Sequence, residues 1–307
     1  MNSPSFIDLT STNARLMLCG EDKVDLLDRL STNDISVLKE HGQGLSTVLT
    51  TNKGRIIDLI KIYFFEDHLL LVSDMQSISK ISEWIEFYTI MEDVTQIDVS
   101  DETFQIRIFT DDINRIFPQK YDCEIDNFFV TVIDGVSVSV TRNKMNTKQC
   151  FDIFGNKKHK NTIIEFLNNF AMQLESSQFE NLRILVGYPK FGNELTEEFN
   201  PLEALLYDHI SFNKGCYIGQ EVVARLNTYN KVQRQMVQIS SNHDLDIGEI
   251  EFEGQTVGTI TSVMKNNGIA YINKKILEKT SQVQFGSFDA EIPVSYTHLT
   301  LPTKRIV

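Results

Sequence analysis

The sequence predicts an α+β protein with two mixed α+β units followed by a small β domain. Three observations support this fold class. The 307 residues exceed the usual size of a single domain. Up to about residue 180, segments with helical spacing of apolar residues alternate with short strand-like segments. From Gln233 onward the segments are short, alternate in polarity and are separated by glycines, which is typical of a closed or sandwiched β domain.

The first unit is predicted to open with an amphipathic helix over Gly20–Leu30, where two early acids suit the positive end of the helix dipole. Ile56–Phe64 is rich in β-branched and aromatic residues, and His68–Ser73 follows an acidic turn. This pattern predicts a β-hairpin whose first strand contains Asp58. The apolar spacing of Met75–Met91 then predicts a second helix.

The remaining segments complete the predicted architecture. Strands are expected at Val94–Val99, Phe104–Phe109, Phe128–Ile133, Val136–Val140, Met236–Ile239, Val257–Val263 and Ile269–Ile272, and a helix at Thr162–Leu174. We therefore predict one α+β region over residues 1–232 and a β domain over residues 233–294. Residues 295–307 break the pattern and are expected to form a disordered or non-native tail.

Composition narrows the function classes. A formal net charge of -13 argues against a broad electrostatic grip on nucleic acid, and the short basic run Lys157–Lys160 is interpreted as a solvated loop. The four cysteines form no C-x-x-C pair, so neither a zinc ribbon nor a redox dithiol is indicated. With no secretory signal pattern and no long apolar window, we expect a cytoplasmic protein without a membrane span.

The most informative segment runs from Arg183 to Tyr229. Its second half predicts a helix over Tyr217–Leu226, which would place Cys216 at the positive end of that helix, beside Lys214. Both features favour a thiolate, so Cys216 is a candidate reactive cysteine. The alternative from the residues alone is that Cys216 is a small buried packing residue.

Glu203 is the candidate ligand-binding carboxylate of this segment. It follows Pro201, which is predicted to start a short helix. A carboxylate can pair with the planar donor edge of an amino-pyrimidinone ring, as it does with a guanidinium group. The alternative is a charge at a helix start in water. Nothing in these residue types alone selects a folate.

A family resemblance adds to this interpretation. The run Lys214–Glu221, KGCYIGQE, resembles the signature of the YgfZ family, which shares the fold of the aminomethyltransferase (T-protein) of the glycine-cleavage system. The resemblance extends to further segments, more loosely in the last of them: Gly20–Leu30, Thr32–Asp34, Lys53–Arg55, Arg183–Leu195, Pro201–Ala204, Ile210–Phe212 and Val257–Ser262.

The resemblance implies a three-domain ring, with two mixed α+β units around a tetrahydrofolate pocket and a C-terminal β-barrel. By motif match it implies that Glu203 contacts the pterin and that Cys216 is the functional thiol. Lys214, Tyr217 and Arg225 would be neighbours of the cofactor. It also implies a role in assembly or repair of iron–sulfur proteins, with an indirect effect on tRNA modification.

The implied partners are folate and, transiently, iron–sulfur assembly proteins or their client enzymes. A resident cluster or tightly bound metal is not expected, because a cluster generally needs four close thiolates and the four cysteines are scattered along the sequence. Strong direct binding to nucleic acid is not expected either.

One departure concerns the T-protein branch. That branch has paired acids where this chain has Ile57 followed by Asp58, so one member of the pair is apolar. Because transfer of an aminomethyl group needs a positioned acid or base, the departure argues against that activity. Asp58 is retained as a candidate for catalysis or folate contact, and its alternative is a solvent-facing strand residue.

The leading hypothesis is therefore a tetrahydrofolate-binding accessory factor in which Glu203 and Cys216 line a common cavity. The alternative is a folate-dependent one-carbon enzyme, either an aminomethyltransferase or a demethylase. An interaction scaffold with a relic pocket ranks third, and direct tRNA binding is a weaker variant of it.

Overall fold

The computed structural model describes residues 3–117, 123–286 and 288–292. The first part of the chain contains β1 (Ser5–Asp8), β2 (Asn13–Cys19), α1 (Lys23–Leu30), β3 (Gly44–Thr50), β4 (Ile56–Phe64), β5 (His68–Asp74), α2 (Ile78–Tyr88) and β6 (Thr95–Asp98). The middle part contains β7 (Thr103–Phe109), β8 (Phe128–Ile133), β9 (Val136–Met145), β10 (Lys148–Asn156), α3 (Lys160–Asn168), β11 (Met172–Gln173) and α4 (Ser176–Leu185).

The last part contains α5 (Gln220–Thr228), β12 (Arg234–Ser241), β13 (Gly248–Phe252), β14 (Gln255–Met264), β15 (Asn267–Asn273), α6 (Lys274–Leu277), β16 (Gln282–Phe285) and β17 (Phe288–Glu291). Short 3₁₀ turns lie at Ile35–Val37, Ile113–Arg115, Lys157–His159 and Tyr207–His209.

An antiparallel sheet of order β3-β4-β5-β2-β6 forms the first layer. Helices α1 and α2 cover one face of it, because their apolar residues recur at helical spacing and all point to that face. The side chains buried there include Leu26, Leu27, Leu30, Ile81 and Ile85. This packing confirms the predicted helices and the hairpin formed by β4 and β5.

A second sheet has the order β11-β1-β7-β10-β9-β8. Its strand β1 comes from the start of the chain, and Ser5 pairs with both Phe109 and Met172. The two sheets are therefore built from interleaved parts of the sequence. Helix α3 buries Ile163 and Leu167 against one face of this second sheet.

The two sheets face each other through aromatic and polar side chains. The ring of Tyr63 on β4 lies 6.1 Å from the ring of Phe128 and 5.7 Å from that of Phe154. Beside these rings, Lys61 Nζ donates a hydrogen bond of 2.5 Å to Asn143 Oδ1. The interface between the sheets therefore has an apolar part, formed by these rings, and a charged part that includes Lys61. Lys61 also lines the cavity described below.

Strands β12 to β17 close into a six-stranded barrel, which confirms the predicted C-terminal β domain. The ring of Phe199 stacks on that of Tyr271 at 3.5 Å, and the Tyr271 hydroxyl donates to the Glu194 carbonyl at 2.9 Å. These contacts join the barrel to the segment that follows α4.

Several predicted helix bounds differ from the structure. Helix α1 begins at Lys23 rather than Gly20, and α2 spans Ile78–Tyr88 rather than Met75–Met91. Helix α3 ends at Asn168 rather than Leu174, because Met172–Gln173 pairs with β1 instead. Pro201 starts a series of turns and no helix, since Leu205 has a φ of 60°. Helix α5 begins at Gln220 rather than Tyr217, because Gly219 precedes it with a φ of 87°. The predicted tail 295–307 lies outside the described residues.

In the part of the chain that the structure describes, no helix has both the length and the apolar character needed to cross a membrane.

Two glycine turns from distant motifs contact each other directly. A Cβ on Gly219 would lie 2.5 Å from the Thr51 carbonyl oxygen and 3.1 Å from the Cα of Gly54. Nearby, the Thr50 hydroxyl donates to the Ile218 carbonyl at 2.7 Å. The approach of two backbones explains why both motifs carry glycine here.

Replacing Gly219 by Ala should therefore destabilise the protein for two reasons. The left-handed conformation costs an ordinary residue about 1–2 kcal/mol, and the clash with Thr51 adds to this. Gly254→Ala is the matched control, since Gly254 has a φ of 75° but nothing within 4 Å of its Cβ position. Urea unfolding should show the larger loss for Gly219→Ala, and equal losses would contradict the backbone contact.

Candidate functional site

A cavity of about 520 Å³ lies where the two sheets, helix α4 and the barrel meet. Pockets for small organic ligands usually have volumes of this size. Its walls contain apolar side chains from each of these parts, together with a set of charged ones. The charged residues that line it are Asp8, Asp58, Lys61, Asp74, Arg107, Glu180, Arg183 and Lys190.

Asp58 borders this cavity near the start of β4. The register between β3 and β4 shifts by one residue here, so Leu49 pairs with Asp58 while Thr50 pairs with Ile56. Such bulges change the direction of side chains and often occur next to binding sites. Ile57, the extra residue, packs into the core under the helices. The apolar member of the predicted acid pair thus has a packing role.

The Asp58 carboxyl group is buried and is held by three donors. Only 1% of the residue is exposed, which excludes the solvent-facing alternative. Oδ2 accepts hydrogen bonds from the Ser77 hydroxyl at 2.5 Å and from the Asp74 N–H at 3.4 Å. Oδ1 accepts one from the Leu59 N–H at 2.8 Å. Burial nevertheless raises the pKa of Asp58 to about 7, because these bonds only partly replace water around the charge.

Asp74 is a second carboxyl group in the cavity wall. It lies at the end of β5, and its Oδ1 accepts a hydrogen bond from the Gln76 N–H at 2.8 Å. Burial raises the pKa of Asp74 as well, opposed by that bond and by the charge of Lys190. The negative charge of Asp74 in turn contributes to the raised pKa of Asp58. The two strands of the hairpin thereby place two coupled acids side by side.

Two cations in the wall, Arg107 and Lys61, are already paired within the protein. Arg107 forms a bidentate pair with Asp152, with bonds of 2.6 and 2.7 Å. The bonded guanidinium keeps the pKa of Asp152 low despite its complete burial. Lys61 is held by Asn143 and by Asp126, whose Oδ1 lies 3.7 Å from Lys61 Nζ. These cations shape the wall but have little charge left for a ligand.

Arg183 of α4 is the most extensively bonded of the wall residues. It donates to both oxygens of Glu180, to Glu194 Oε2 at 3.0 Å and to the Ser262 hydroxyl at 2.7 Å. Glu194 is fully buried, and its Oε1 accepts bonds of 2.6 Å from the hydroxyls of Thr261 and Ser262. One ion pair therefore connects α4, the loop after it and barrel strand β14.

Lys190 is the exposed cation of the cavity rim. Its Nζ lies 3.7 Å from Glu180 Oε2, and its side chain is 43% exposed. It lies at the open side of the cavity, where the charge can meet an anionic part of a ligand without breaking a buried pair.

Glu203 has a different environment from the one that the resemblance implied. Its Oε1 accepts a bond of 3.2 Å from Arg234 Nε, and its Oε2 accepts one of 3.1 Å from the Asn200 N–H. Arg55 Nη1 lies 3.9 Å from Oε2. Glu203 is buried in this cluster between β4 and the barrel, and it is not among the described residues that line the cavity.

Lys214 has its ammonium group at the end of α1. Its Nζ donates to the carbonyl oxygens of Asp28, Ser31 and Asn33 and to Asp28 Oδ1, at 2.7–3.1 Å. Its side chain is 1% exposed, and burial lowers the pKa of Lys214. The Lys214–Gly215–Cys216 motif thus fastens the Thr32–Asp34 motif through the Lys214 side chain. The ammonium group serves these carbonyls and not a neighbouring thiolate.

Cys216 is exposed on the loop before α5. Because α5 begins at Gln220, Cys216 lies four positions before its first residue and outside its N-terminal turn. The predicted position of Cys216 at the first turn of this helix is therefore wrong. The exposure also excludes the alternative of a buried packing residue. Neither Cys216 nor the predicted neighbours Tyr217 and Arg225 are among the described residues that line the cavity.

Tyr217 and Arg225 have separate positions. Tyr217 is buried, with Lys214 Nζ 5.7 Å from the centre of its ring. Arg225 is exposed in the last turn of α5. Of the six candidate residues, the structure places only Asp58 at the cavity.

The comparisons with known proteins agree with this architecture. Residues 2–214 match the family model described as GCVT N-terminal domain.

The chain belongs to the GCVT N-terminal domain family.

Two relatives are similar to this chain over most of their own length. The chain is 28% identical over 303 residues to a chloroplastic protein of Arabidopsis thaliana named as a candidate transferase, covering 93% of this chain and 69% of that one. It is 26% identical over 289 residues to an aminomethyltransferase of a Thermoanaerobacter species, covering 86% of this chain and 77% of that one.

A solved structure shows the same fold. It is the glycine cleavage system aminomethyltransferase T from Bartonella henselae, with a TM-score of 0.80. The match covers 94% of this chain and 85% of that chain at 15% identity, so it is a likeness of fold alone. The α+β fold with a C-terminal β-barrel expected from the sequence is thereby confirmed.

Sequence reasoning missed most of the cavity of this GCVT-family chain. Three charged wall residues belong to no motif recognised in the sequence: Asp74, Arg107 and Glu180. Each lies on a strand or helix whose sequence pattern predicts only core packing. The predicted hairpin could have indicated Asp74, because Asp74 ends the strand that pairs with the strand of Asp58. Among the described residues, no group of three or more His, Cys, Asp or Glu side chains is arranged to hold a metal ion.

The buried Asp58 makes stability depend on pH. Its pKa is about 7 in the folded state and 3.8 in the reference state, so its stabilising contribution is complete below pH 3.8 and disappears as the pH rises through 7. Asp58→Asn mimics the neutral group. We expect it to be more stable than the wild type at pH 8, by up to about 4 kcal/mol for a shift of about three units, with the difference closing toward pH 4.

Urea unfolding across this pH range measures the difference. Ile57→Val, which changes a neighbouring side chain without a titratable group, gives the baseline. A difference between Asp58→Asn and wild type that stays constant from pH 4 to 8 would show that the Asp58 carboxyl group is not held neutral by burial.

Proposed function

We propose that this chain binds a tetrahydrofolate in the central cavity and uses Asp58 as the acid–base group of a one-carbon transfer from an amine donor. The observation that carries the proposal is the placement of a buried carboxyl group with a pKa of about 7 in the wall of a cavity of ligand size. A group that titrates near neutral pH can both take up and release a proton under physiological conditions.

The residues around the cavity fit the parts of a folate. Leu9, Leu59, Phe179 and Phe191 offer apolar surface to a flat ring. Asp58 and Asp74 offer carboxyl oxygens to its N–H edge, as carboxylates do for planar donors. Lys190 lies at the rim, where the carboxylates of a glutamate tail would meet it. Bound tetrahydrofolate would supply the nitrogens that accept the one-carbon unit.

The acid pair can also favour the donor. Among the described residues, Asp58 has no cation within ion-pair distance, while the cations Arg107 and Arg183 are neutralised by their own partners. The acidic part of the wall therefore favours a cationic amine over an anion. In the proposed reaction Asp58 would give a proton to the departing nitrogen, which leaves as ammonia, and the donor sulfur would leave as a thiol with a second proton. Both protons come from the two tetrahydrofolate nitrogens that form bonds to the carbon, and Asp58 would regain its proton from one of them.

The family membership and the names of the relatives support this activity over the leading hypothesis from the sequence. Two of the relatives above are named as an aminomethyltransferase and a candidate transferase. Ile57 replaces one acid of the pair found in the T-protein branch, but Asp74 supplies a second acid from the neighbouring strand. The replacement at Ile57 is therefore a weaker argument against transfer.

Folate contact at Glu203 stays a prediction of the motif match. Within the present proposal, Glu203 joins Arg55 and Arg234 across the interface between β4 and the barrel, and its bonds there would have to be given up to reach a ligand. Glu203→Gln then lowers stability without abolishing folate binding.

Binding is tested by thermal unfolding with tetrahydrofolate. We expect stabilisation of the wild type, amounting to about 2.7 kcal/mol at a ligand concentration 100 times the Kd. Ser177→Trp, which fills the cavity from the exposed start of α4, should abolish it. Cys216→Ser, which changes no residue of the cavity wall, is the matched control and should retain it. Loss in Cys216→Ser with retention in Ser177→Trp would place the ligand elsewhere.

Transfer is tested with Asp58→Asn in single-turnover assays that follow methylene-tetrahydrofolate formed from an aminomethyl thioether. Removal of a general acid–base group should slow the step by about 10²–10⁴-fold even at saturating tetrahydrofolate. Equal rates in Asp58→Asn and wild type would remove Asp58 from the reaction.

A second candidate function follows from the exposure of Cys216 within the KGCYIGQE motif. Under it, the chain is a YgfZ-type cytoplasmic accessory factor for iron–sulfur assembly or repair, and the thiol meets a partner protein at the surface. Its indirect effect would reach tRNA modification through the client enzymes.

Complementation distinguishes this candidate. In a strain that lacks a YgfZ-type protein, the wild-type chain should restore iron–sulfur enzyme activity, and Cys216→Ser should fail while Asp58→Asn succeeds. Restoration by Cys216→Ser, or rescue that depends on Asp58, would count against the accessory role.

A further inference from the structure

Ser77 occupies the N-cap position of α2 but does not use its side chain to cap the helix. Serine is favoured at this position because its hydroxyl usually bonds an N–H group of the first turn. Among the described residues, the Ser77 side chain makes no such bond. It is fully buried and is directed back to the end of the β4–β5 hairpin.

The Ser77 hydroxyl contacts two acceptors. Its Oγ lies 2.5 Å from Asp58 Oδ2 and 2.9 Å from the Asp74 carbonyl oxygen. A hydroxyl group has one proton to donate and can also accept. At any moment it therefore donates to one of these oxygens and not to both.

Each choice corresponds to one protonation state of Asp58. When Asp58 is ionised, Ser77 donates to Oδ2, and the Asp74 carbonyl keeps the bond from the Ser77 N–H at 3.1 Å. When Asp58 is neutral with its proton on Oδ2, that proton is donated to Ser77 Oγ, and Ser77 donates to the Asp74 carbonyl. Neither state leaves a buried polar group without a partner, and the two states differ by one proton on Asp58 and by the orientation of the Ser77 hydroxyl.

We propose that Ser77 is a positioning residue of the site: its hydroxyl bonds Asp58 Oδ2 in both protonation states, by donating to the ionised carboxylate and accepting from the protonated one, so Asp58 can lose and regain a proton while each polar group stays bonded. This inference rests on the proposed function for the use of the proton, but its geometry stands without any ligand. A second observation supports the inference: the Ser77 side chain bonds Asp58 instead of capping α2. Helix capping, the usual reason for serine at this position, therefore does not explain Ser77.

The other charges near Asp58 are accounted for by their own partners. Asp74 on β5 bonds the Gln76 N–H and faces Lys190 of the rim. The remaining charged wall residues are in ion pairs: Asp8 with Lys160, Lys61 with Asp126, Arg107 with Asp152, and Arg183 with Glu180 and Glu194. Ser77 is thus the side chain that responds directly to the state of Asp58.

The test is the titration of Asp58 by carbon-13 NMR of its carboxyl group in the wild type, Ser77→Ala and Ser77→Thr. Hydrogen bonds to an ionised group are stronger than those to a neutral one, so loss of the hydroxyl should raise the Asp58 pKa by about one unit. Ser77→Thr keeps the hydroxyl and should restore the wild-type value. The limb of the turnover profile on which the rate falls with rising pH should move with it.

Asn273→Ala serves as the control for ordinary cap loss. Asn273 caps α6 through a bond of 3.0 Å from the Lys275 N–H to its side chain, so its replacement should lower the melting temperature without moving the Asp58 titration. A Ser77→Ala variant that behaves like Asn273→Ala, with a lower melting temperature and an unchanged Asp58 titration, overturns the inference.

The NMR readout separates the two proposals. A shifted titration in a protein that shows no folate-dependent turnover supports the role of Ser77 and removes the proposed reaction. If the protein shows folate-dependent turnover but Ser77→Ala leaves the Asp58 titration unchanged, the proposed reaction is supported and the role of Ser77 is removed.

Discussion

The buried ion pair between Arg183 and Glu194 is the constraint on which the cavity depends. Both side chains are almost completely removed from water, so each must satisfy its hydrogen-bonding groups within the protein. Arg183 does this through α4 and the loop after it, and Glu194 through Thr261 and Ser262 on the barrel. Because neither charge can be left unpaired, helix, loop and barrel hold fixed positions around the space that they enclose.

The most recognisable motif and the proposed acid–base chemistry lie in different parts of this molecule, although the Arg183–Leu195 segment does contribute to the cavity wall. The most recognisable run, Lys214–Glu221, packs around Gly219 and holds α1 through Lys214, which are structural tasks. Asp58 and Asp74, two acids of the cavity wall, lie on strands outside that run. Strong sequence signals arise where backbones approach closely, whereas a carboxyl group needs only burial and a few donors to become reactive.

The fold could be predicted from the sequence because it follows from local patterns. Two such patterns are the helical spacing of apolar residues in α1 and α2 and the change to short alternating segments at Gln233. Both can be recognised from residues that are close together in the sequence. The site could not be predicted to the same extent. The environment of Asp58 depends on the bulge in β4 and on the hydrogen bond from Ser77. The pairing of Glu203 with Arg234 depends on where the barrel packs against the rest of the chain. The end of α3 was missed because β1, from the other end of the sequence, pairs with Met172.

The position of β1 also has a consequence for the order in which the chain assembles during synthesis. Its first partner, β7, is made about a hundred residues later, and its parallel partner β11 later still. The sheet β2–β6 comes from one continuous stretch and needs neither of them. On the ribosome the first sheet can form while the leading strand waits unpaired, so the middle unit, and with it the cavity, is completed late.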